Sequence, residues 1–153
     1  MHQTAPPADV FEAMHDLMHV YRSHMVRAIA DIHPELTMNE VRALSFVGRR
    51  KGATQKDLVR HSGADKAQVA RMVAQLVERG WITSTPNPED GRSRTLALSP
   101  EGLTLQEAVR GLRQEVSAQL LAGCDAKTQT QLLTLLEKLR DDLNAVQARS
   151  PQN

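Results

Sequence analysis

The sequence predicts a mainly α fold that carries one small β-hairpin, with long helices at both ends. Three observations predict it. Apolar residues recur at three- and four-residue steps through the first and last parts of the chain. Two shorter helical stretches in the middle are separated by a tight turn containing glycine. Two alternating runs, "WITSTP" and "SRTLAL", flank the turn-forming "NPEDG". Helix, helix, turn, helix, hairpin is the order of a winged helix-turn-helix, here with a further helix before it and two after.

The first helix is predicted from Ala8 to about Ile32, on the repeat Val10, Met14, Leu17, Met18, Tyr21, Met25, Ile29, Ile32, with Pro34 as its stop. Thr37-Met-Asn-Glu40 has the spacing of a capping box and opens a second helix to about Arg50. Thr54-Gln-Lys-Asp57 opens a short third helix, and Gly63 closes it where a left-handed residue is needed. Asp65 caps a fourth helix that runs to about Arg79 and ends at Gly80. The hairpin strands follow, joined by Asn87 to Gly91. Ser99 is the N-cap of a fifth helix with Pro100 at its first position, where the missing N–H does no harm. Leu105, Val109, Leu112, Val116 and Leu120 stripe one side of it. Asp125 caps a sixth helix rich in leucine, and the closing "RSPQN" reads as a frayed end.

Composition narrows the class. The chain has 153 residues, enough for one domain with a buried core. Aromatics make up only 3%, so the core is expected to be aliphatic. No apolar run approaches the roughly 18 residues of a membrane span. The opening "MHQTAPPADV" lacks the basic and apolar regions of a secretory leader, and a lone Cys124 leaves no partner for an intrachain disulfide. Both point to the cytoplasm. Net charge is only +1, but its distribution is uneven: Arg49 to Arg94 carries ten Lys/Arg against five Asp/Glu. A basic middle with acidic flanks suits an anionic partner for the middle alone.

The chemistry of that middle favours double-stranded DNA. Lys66, Gln68, Arg71 and Gln75 fall on one side of the fourth helix, and Val69, Met72, Val73, Leu76 and Val77 are expected to face inward. A helix of this size fits the major groove, with its early residues, Ala67 among them, near base edges or phosphates. Thr54, Gln55 and Lys56 at the start of the third helix lie where the backbone would pass. Arg92 and Arg94, two apart near the hairpin tip, suit the negative potential of a narrow minor groove. Asp90 beside them is expected to hold one guanidinium in a fixed fork.

These residues carry a resemblance. "DGRSRTLALSPEG" resembles the wing signature of the MarR family of bacterial transcription regulators: Asp, any residue, Arg, five residues, Leu, Thr or Ser, two residues, Gly. Asp90, Arg92, Leu98, Ser99 and Gly102 match it at that spacing. "ADKAQVARMVAQLVERGWI" is similar to the family's recognition helix, although Ala67 and Ala70 stand where many members carry Ser or Thr. The close match spans roughly Thr37 to Gly102, and the helix order extends it across the chain. The resemblance implies one MarR-type domain over 1–153, with a DNA-binding lobe at about 37–98 and dimerisation helices at about 8–33 and 99–148. It implies a homodimer on a pseudo-palindromic operator, and a repressor released by a small-molecule effector bound between the lobe and the dimer helices. Met14, Met18, Tyr21 and Met25 would line that effector pocket.

Rival readings remain at this point. A helical protein–protein adaptor could use the same fold without DNA. A metal-responsive regulator could use His15 and His19, four apart on the first helix, but no Cys or carboxylate cluster completes a ligand set. No metal or other cofactor is expected. Cys124 as a redox sensor is disfavoured, because the peroxide-sensing members of the family carry their cysteine near the N-terminus. An enzyme is disfavoured by the lack of a phosphate-binding glycine loop or a nucleophile elbow.

Overall fold

The computed structural model describes residues 6–149, with side chains through residue 146. Among these residues the order is α1 (Pro7–Ile32), α2 (Met38–Arg49), β1 (Ala53–Thr54), α3 (Gln55–Ser62), α4 (Lys66–Glu78), β2 (Ile82–Pro86), β3 (Arg94–Leu98), α5 (Pro100–Leu120) and α6 (Ala126–Arg149). Contacts divide the chain into two compact units, Met1–Val116 and Ser117–Asn153, with the division inside α5. The N-terminal five residues read for a leader, and residues 150–153 of the expected frayed end, lie outside the described residues. No helix among the described residues is long and apolar enough to cross a membrane.

The helix boundaries follow local chemistry. Pro7 opens α1 at a position where its missing N–H is harmless. His33 ends the helix in an extended conformation, as a residue before proline prefers, while its N–H still bonds Ile29 O at 3.0 Å. At α2, Thr37 Oγ1 accepts the Glu40 N–H at 3.2 Å and Glu40 Oε2 accepts the Thr37 N–H at 2.8 Å. The same reciprocal box, Thr54 with Asp57, opens α3. Gly63 closes α3 with φ +65°, in the left-handed region that side chains with a Cβ avoid. Asp65 Oδ1 then accepts the Gln68 N–H at 2.9 Å and caps α4.

The sheet has three antiparallel strands in the order β1-β3-β2. Ile82 pairs with Leu98 and Pro86 with Arg94 in the hairpin; Ala53 pairs with Leu96 on the other edge. Strand β1 is a finding beyond the sequence reading. Two residues carry no alternation to detect, and Thr54 announces itself only as a helix cap. Pro86 sits at the end of an edge strand, where a missing donor is tolerated.

The core of unit Met1–Val116 is aliphatic, as composition required. Leu44, Leu58, Val69, Leu76, Ile82 and Leu96 are almost wholly buried, joined by Met25 and Ile29 from α1. Val77 departs from expectation, being 38% exposed. The inward stripe of α4 is Val69, Val73 and Leu76, and Val77 lies about 100° past Leu76 on the helical wheel. The leucines of α6 are not core within their own unit: Leu133, Leu135 and Leu143 are each more than half exposed.

The chain after β3 is pinned by Ser99. Its hydroxyl donates to Gly80 O and accepts the Gly102 N–H at 2.9 Å, while its own N–H donates to Trp81 O at 3.1 Å. One residue thus caps α5 and fastens it to the joint between α4 and β2.

Candidate nucleic-acid interface

Helix α4 is sealed on one side and open on the other. Val69, Val73 and Leu76 are buried beneath it, and Lys66, Ala67, Gln68, Arg71 and Gln75 are all exposed. Gln68, Arg71 and Gln75 stand at steps of three and four and so form one surface row. The Asp65 cap satisfies a backbone N–H at the start of the helix, which leaves the side chains of the row free of capping duty.

At the start of α3 the predicted residues separate. Lys56 is exposed and Gln55 half-buried. Thr54 is committed elsewhere: its N–H and its hydroxyl both donate to Asp57 Oδ2, at 3.0 and 2.9 Å. Both donors of Thr54 are thus engaged in capping α3, while the Lys56 side chain stands exposed beside it. The Thr54 backbone N–H and then its hydroxyl hold the Asp57 carboxyl below the ordinary carboxylate range. Burial opposes them, and the nearby charges of Arg50 and Arg60 reinforce them.

The wing is a self-bonded turn. Asn87 Oδ1 accepts the Glu89 N–H at 3.0 Å, its amide donates to Ser93 Oγ at 2.9 Å, and its N–H donates to Ser93 O at 3.1 Å. Arg92 and Arg94 are both exposed. They are held differently. Arg94 reaches across the hairpin, with Nε donating to Ser84 Oγ at 2.8 Å and Nη2 to Ser84 O. Asp90 corrects an expectation. Among the described residues it forms no ion pair with either arginine. Its Oδ1 accepts the backbone N–H of Arg92 at 3.0 Å, and its carbonyl accepts the Ser93 N–H at 3.0 Å. A short side chain cannot span from the tip of the turn to a guanidinium directed back along the strand, but it reaches the amide two residues on. Asp90 therefore positions the wing backbone, and Ser84 positions the Arg94 head.

That division yields a test. Asp90→Ala removes the acceptor and should weaken binding to duplex DNA about 2- to 10-fold, despite the gain in positive charge, because an Asx-type bond of about 0.5–1.5 kcal/mol is lost from the tip. Asp90→Asn keeps an acceptor and sheds the charge, so it should bind at least as well as the unmodified protein. Tighter binding by the alanine variant than by the asparagine variant would reject the positioning role.

The residues expected to line the effector pocket differ in exposure along α1. Met25 is buried, Met14 and Tyr21 are half-buried, and Met18 is 58% exposed. The four fall within about 60° of one another on the helical wheel, so they form one stripe of α1 that is covered at Met25 and open at Met18. Two clefts in the same unit lie elsewhere. One, about 320 Å3, runs between α2 and α5 and is lined by Ser45, Arg49, Gln106, Arg110 and Arg113 among others. The other, about 310 Å3, lies between α1 and the start of α2, beside Arg22, Val26, Leu36 and Asn39. None of the four predicted residues lines either. His15 and His19 are exposed, and the described residues contain no group of three or more potential metal ligands. Cys124 is a free, half-buried thiol.

One constellation escaped the sequence reading. Glu40, 5% exposed, takes the Arg79 guanidinium at 3.0 Å across 39 positions of chain, and Arg79 lies over the Trp81 ring at 5.3 Å. Nothing local marks such a pair, since Glu40 already has a complete explanation as a cap.

Comparison with known proteins agrees with this architecture. The model of the MarR family matches residues 35–93, the span from the start of α2 to the wing. The HTH-type transcriptional regulator BilQ of Clostridium symbiosum is 30% identical over 94 residues, covering 61% of this chain and 65% of that relative, just under two thirds of its length. The transcriptional regulator HosA of Escherichia coli O111:H- is 24% identical over 128 residues, 84% of this chain and 94% of the relative. A mutant of MarR from Escherichia coli, solved as a crystal structure in complex with operator DNA, shares the fold with a TM-score of 0.65 at 22% identity, over 88% of this chain and 99% of that one. A family model seated on the turn and wing, regulators aligned along most of the chain and a common fold make this chain similar to the winged helix-turn-helix regulators of the MarR family.

Proposed function

We propose that the protein is a cytoplasmic, sequence-specific DNA-binding regulator of transcription, not an enzyme, and that it acts as a homodimeric repressor released by a small-molecule effector. The observation that carries this reading is the pairing of two exposed basic probes on one lobe: the Gln68, Arg71, Gln75 row of α4 and the Arg92/Arg94 wing. A polar row on a helix sealed from behind suits the major groove, and arginines on a two-stranded tip suit the adjacent minor groove. The operator complex of the Escherichia coli relative supports the same use of the fold.

Dimerisation is supported by exposed apolar surface. Val10, Phe11 and Leu17 of α1, and Leu133, Leu135 and Leu143 of α6, stand open in the single chain. Apolar patches of this kind mark association surfaces, and a two-fold pair would present two α4 helices to a pseudo-palindrome. Sedimentation at micromolar concentration should therefore give twice 17.0 kDa. A folded monomer at that concentration would contradict the proposal.

Titration of duplex DNA against salt tests the function itself. The logarithm of the binding constant should fall linearly and steeply with the logarithm of salt concentration, as counterions are released from phosphates. An adaptor that uses the fold for a protein partner would bind duplex weakly or not at all over the same range.

A further inference from the structure

The start of α2 and the end of α4 meet at a charge pair whose carboxylate, on Glu40, is buried and whose guanidinium belongs to an Arg79 side chain that is 27% exposed. Exposed Glu35 is a second, outer partner of Arg79 at 3.7 Å. Glu40 Oε2 accepts from both the N–H and the hydroxyl of Thr37, at 2.8 and 3.0 Å, and Oε1 accepts from Arg79 Nη1 at 3.0 Å. Both carboxylate oxygens are engaged, so the side chain has one orientation. Arg79 is the C-cap of α4, and its N–H bonds Gln75 O and Val77 O. Each charge lies at the helix end that favours it, the carboxylate at the N-terminus of α2 and the guanidinium at the C-terminus of α4. Beyond the pair, Trp81 lies under the Arg79 guanidinium and meets the His33 ring edge-on, with centroids 4.9 Å apart and planes at 89°. The turn between α1 and α2 is thereby fastened to the end of α4.

We propose that Arg79, through Glu40, is a positioning residue for the recognition helix: it sets where α4 stands on the lobe and so how well its outer row meets base edges. The proposal rests on the reading of α4 as the DNA-reading element. Its lever is length. Thirteen residues at about 1.5 Å each make α4 about 20 Å long, so a swivel of a few degrees at the Arg79 end moves the Lys66 end by on the order of 1–2 Å. Hydrogen bonds to bases do not survive such a shift, whereas contacts to phosphates adapt to it. The pair thus bears on the choice of sequence more than on general affinity for DNA.

The test separates position from stability. Arg79→Met alone strands a buried carboxylate and should lower the melting temperature. The double variant Arg79→Met/Glu40→Gln removes both charges, keeps the aliphatic stem over Trp81 and keeps a capping acceptor for Thr37, so its melting temperature should return close to that of the unmodified protein. Amide hydrogen exchange then reads α4 without DNA. In the double variant, exchange in α4 should stay about 10-fold faster than in the unmodified protein while α2 exchanges normally. Affinity for duplexes that the unmodified protein selects from a random pool should fall about 10-fold, with random duplex held within about 2-fold. If exchange in α4 recovers together with melting, the pair is merely structural and the proposal fails. A matching loss on selected and random duplex, with a flatter salt dependence, would also overturn it by making Arg79 a phosphate contact. If the unmodified protein binds no duplex, the functional reading falls, and exchange in α4 still decides whether the pair holds the helix.

Discussion

Gly102→Ala is expected to lower the stability of the lobe by about 2–4 kcal/mol, a fall of roughly 10 °C in melting temperature. The cause is a close approach of backbone to backbone. A Cβ on Gly102 would lie inside contact distance of Trp81 O and 2.9 Å from Trp81 C. Neither atom is the end of a flexible side chain, so relief requires the first turn of α5 to back away from the joint between α4 and β2. That movement would pull on the Ser99 N–H bond to Trp81 O, on the Ser99 hydroxyl bond to Gly80 O and on the Gly102 N–H bond to Ser99 Oγ. Overpacking and strained hydrogen bonds add, which is why the expected loss exceeds that of a single added methyl on an open surface. Gly111, further along α5 with nothing within 4 Å of its Cβ position, serves as control, since alanine there should be neutral or stabilising by up to about 1 kcal/mol. Thermal melting of both variants checks the argument. Equal melting of Gly102→Ala and the unmodified protein would mean that the Ser99–Gly102 turn yields more easily than its contacts indicate.

The second large effect lies on DNA. Arg71→Ala should weaken binding to a selected operator by about 1–3 kcal/mol, with helicity and melting unchanged. Arg71 stands at the middle of the exposed row of α4 and forms no ion pair among the described residues, so its removal breaks no internal charge pair. Arg92→Ala should behave differently. A residue at the wing tip that meets phosphates or the minor groove would lower affinity for selected and random duplex alike, and would flatten the salt dependence by about one counterion per lost contact per subunit. The two variants therefore assign α4 and the wing to different tasks, reading for the first and holding for the second. Unchanged affinity in Arg71→Ala would remove α4 from the interface.

The parts of this fold legible in the sequence are those whose chemistry is local. Thr37 with Glu40, Thr54 with Asp57, Asp65 with Gln68 and the left-handed Gly63 each settle within four residues, so spacing alone reports them. The hairpin was legible for the same reason, as two alternating runs around a turn. What escaped is set by tertiary approach. The register that seats Ala53 against Leu96 decides that β1 exists, and no pattern in two residues could show it. Arg94 is held by Ser84, its diagonal neighbour across the hairpin, because Pro86 pairs with Arg94. Once that register is known, the contact replaces the expected partner, Asp90. Met14, Met18, Tyr21 and Met25 form one stripe by spacing, but which part of that stripe is covered is set by tertiary packing, buried at Met25 and open at Met18, and spacing does not report it.

The central claim is that one lobe presents α4 and the wing together to duplex DNA, twice per dimer. Hydroxyl-radical and methylation footprinting on duplexes selected by the protein tests it most directly. The account predicts two protected major-groove patches about 10 base pairs apart around a pseudo-dyad, flanked by minor-groove protection from the wings. It further predicts that Arg71→Ala erases the major-groove patches and Arg92→Ala the flanks. A folded dimer that protects no duplex, or protection indifferent to both substitutions, would contradict it.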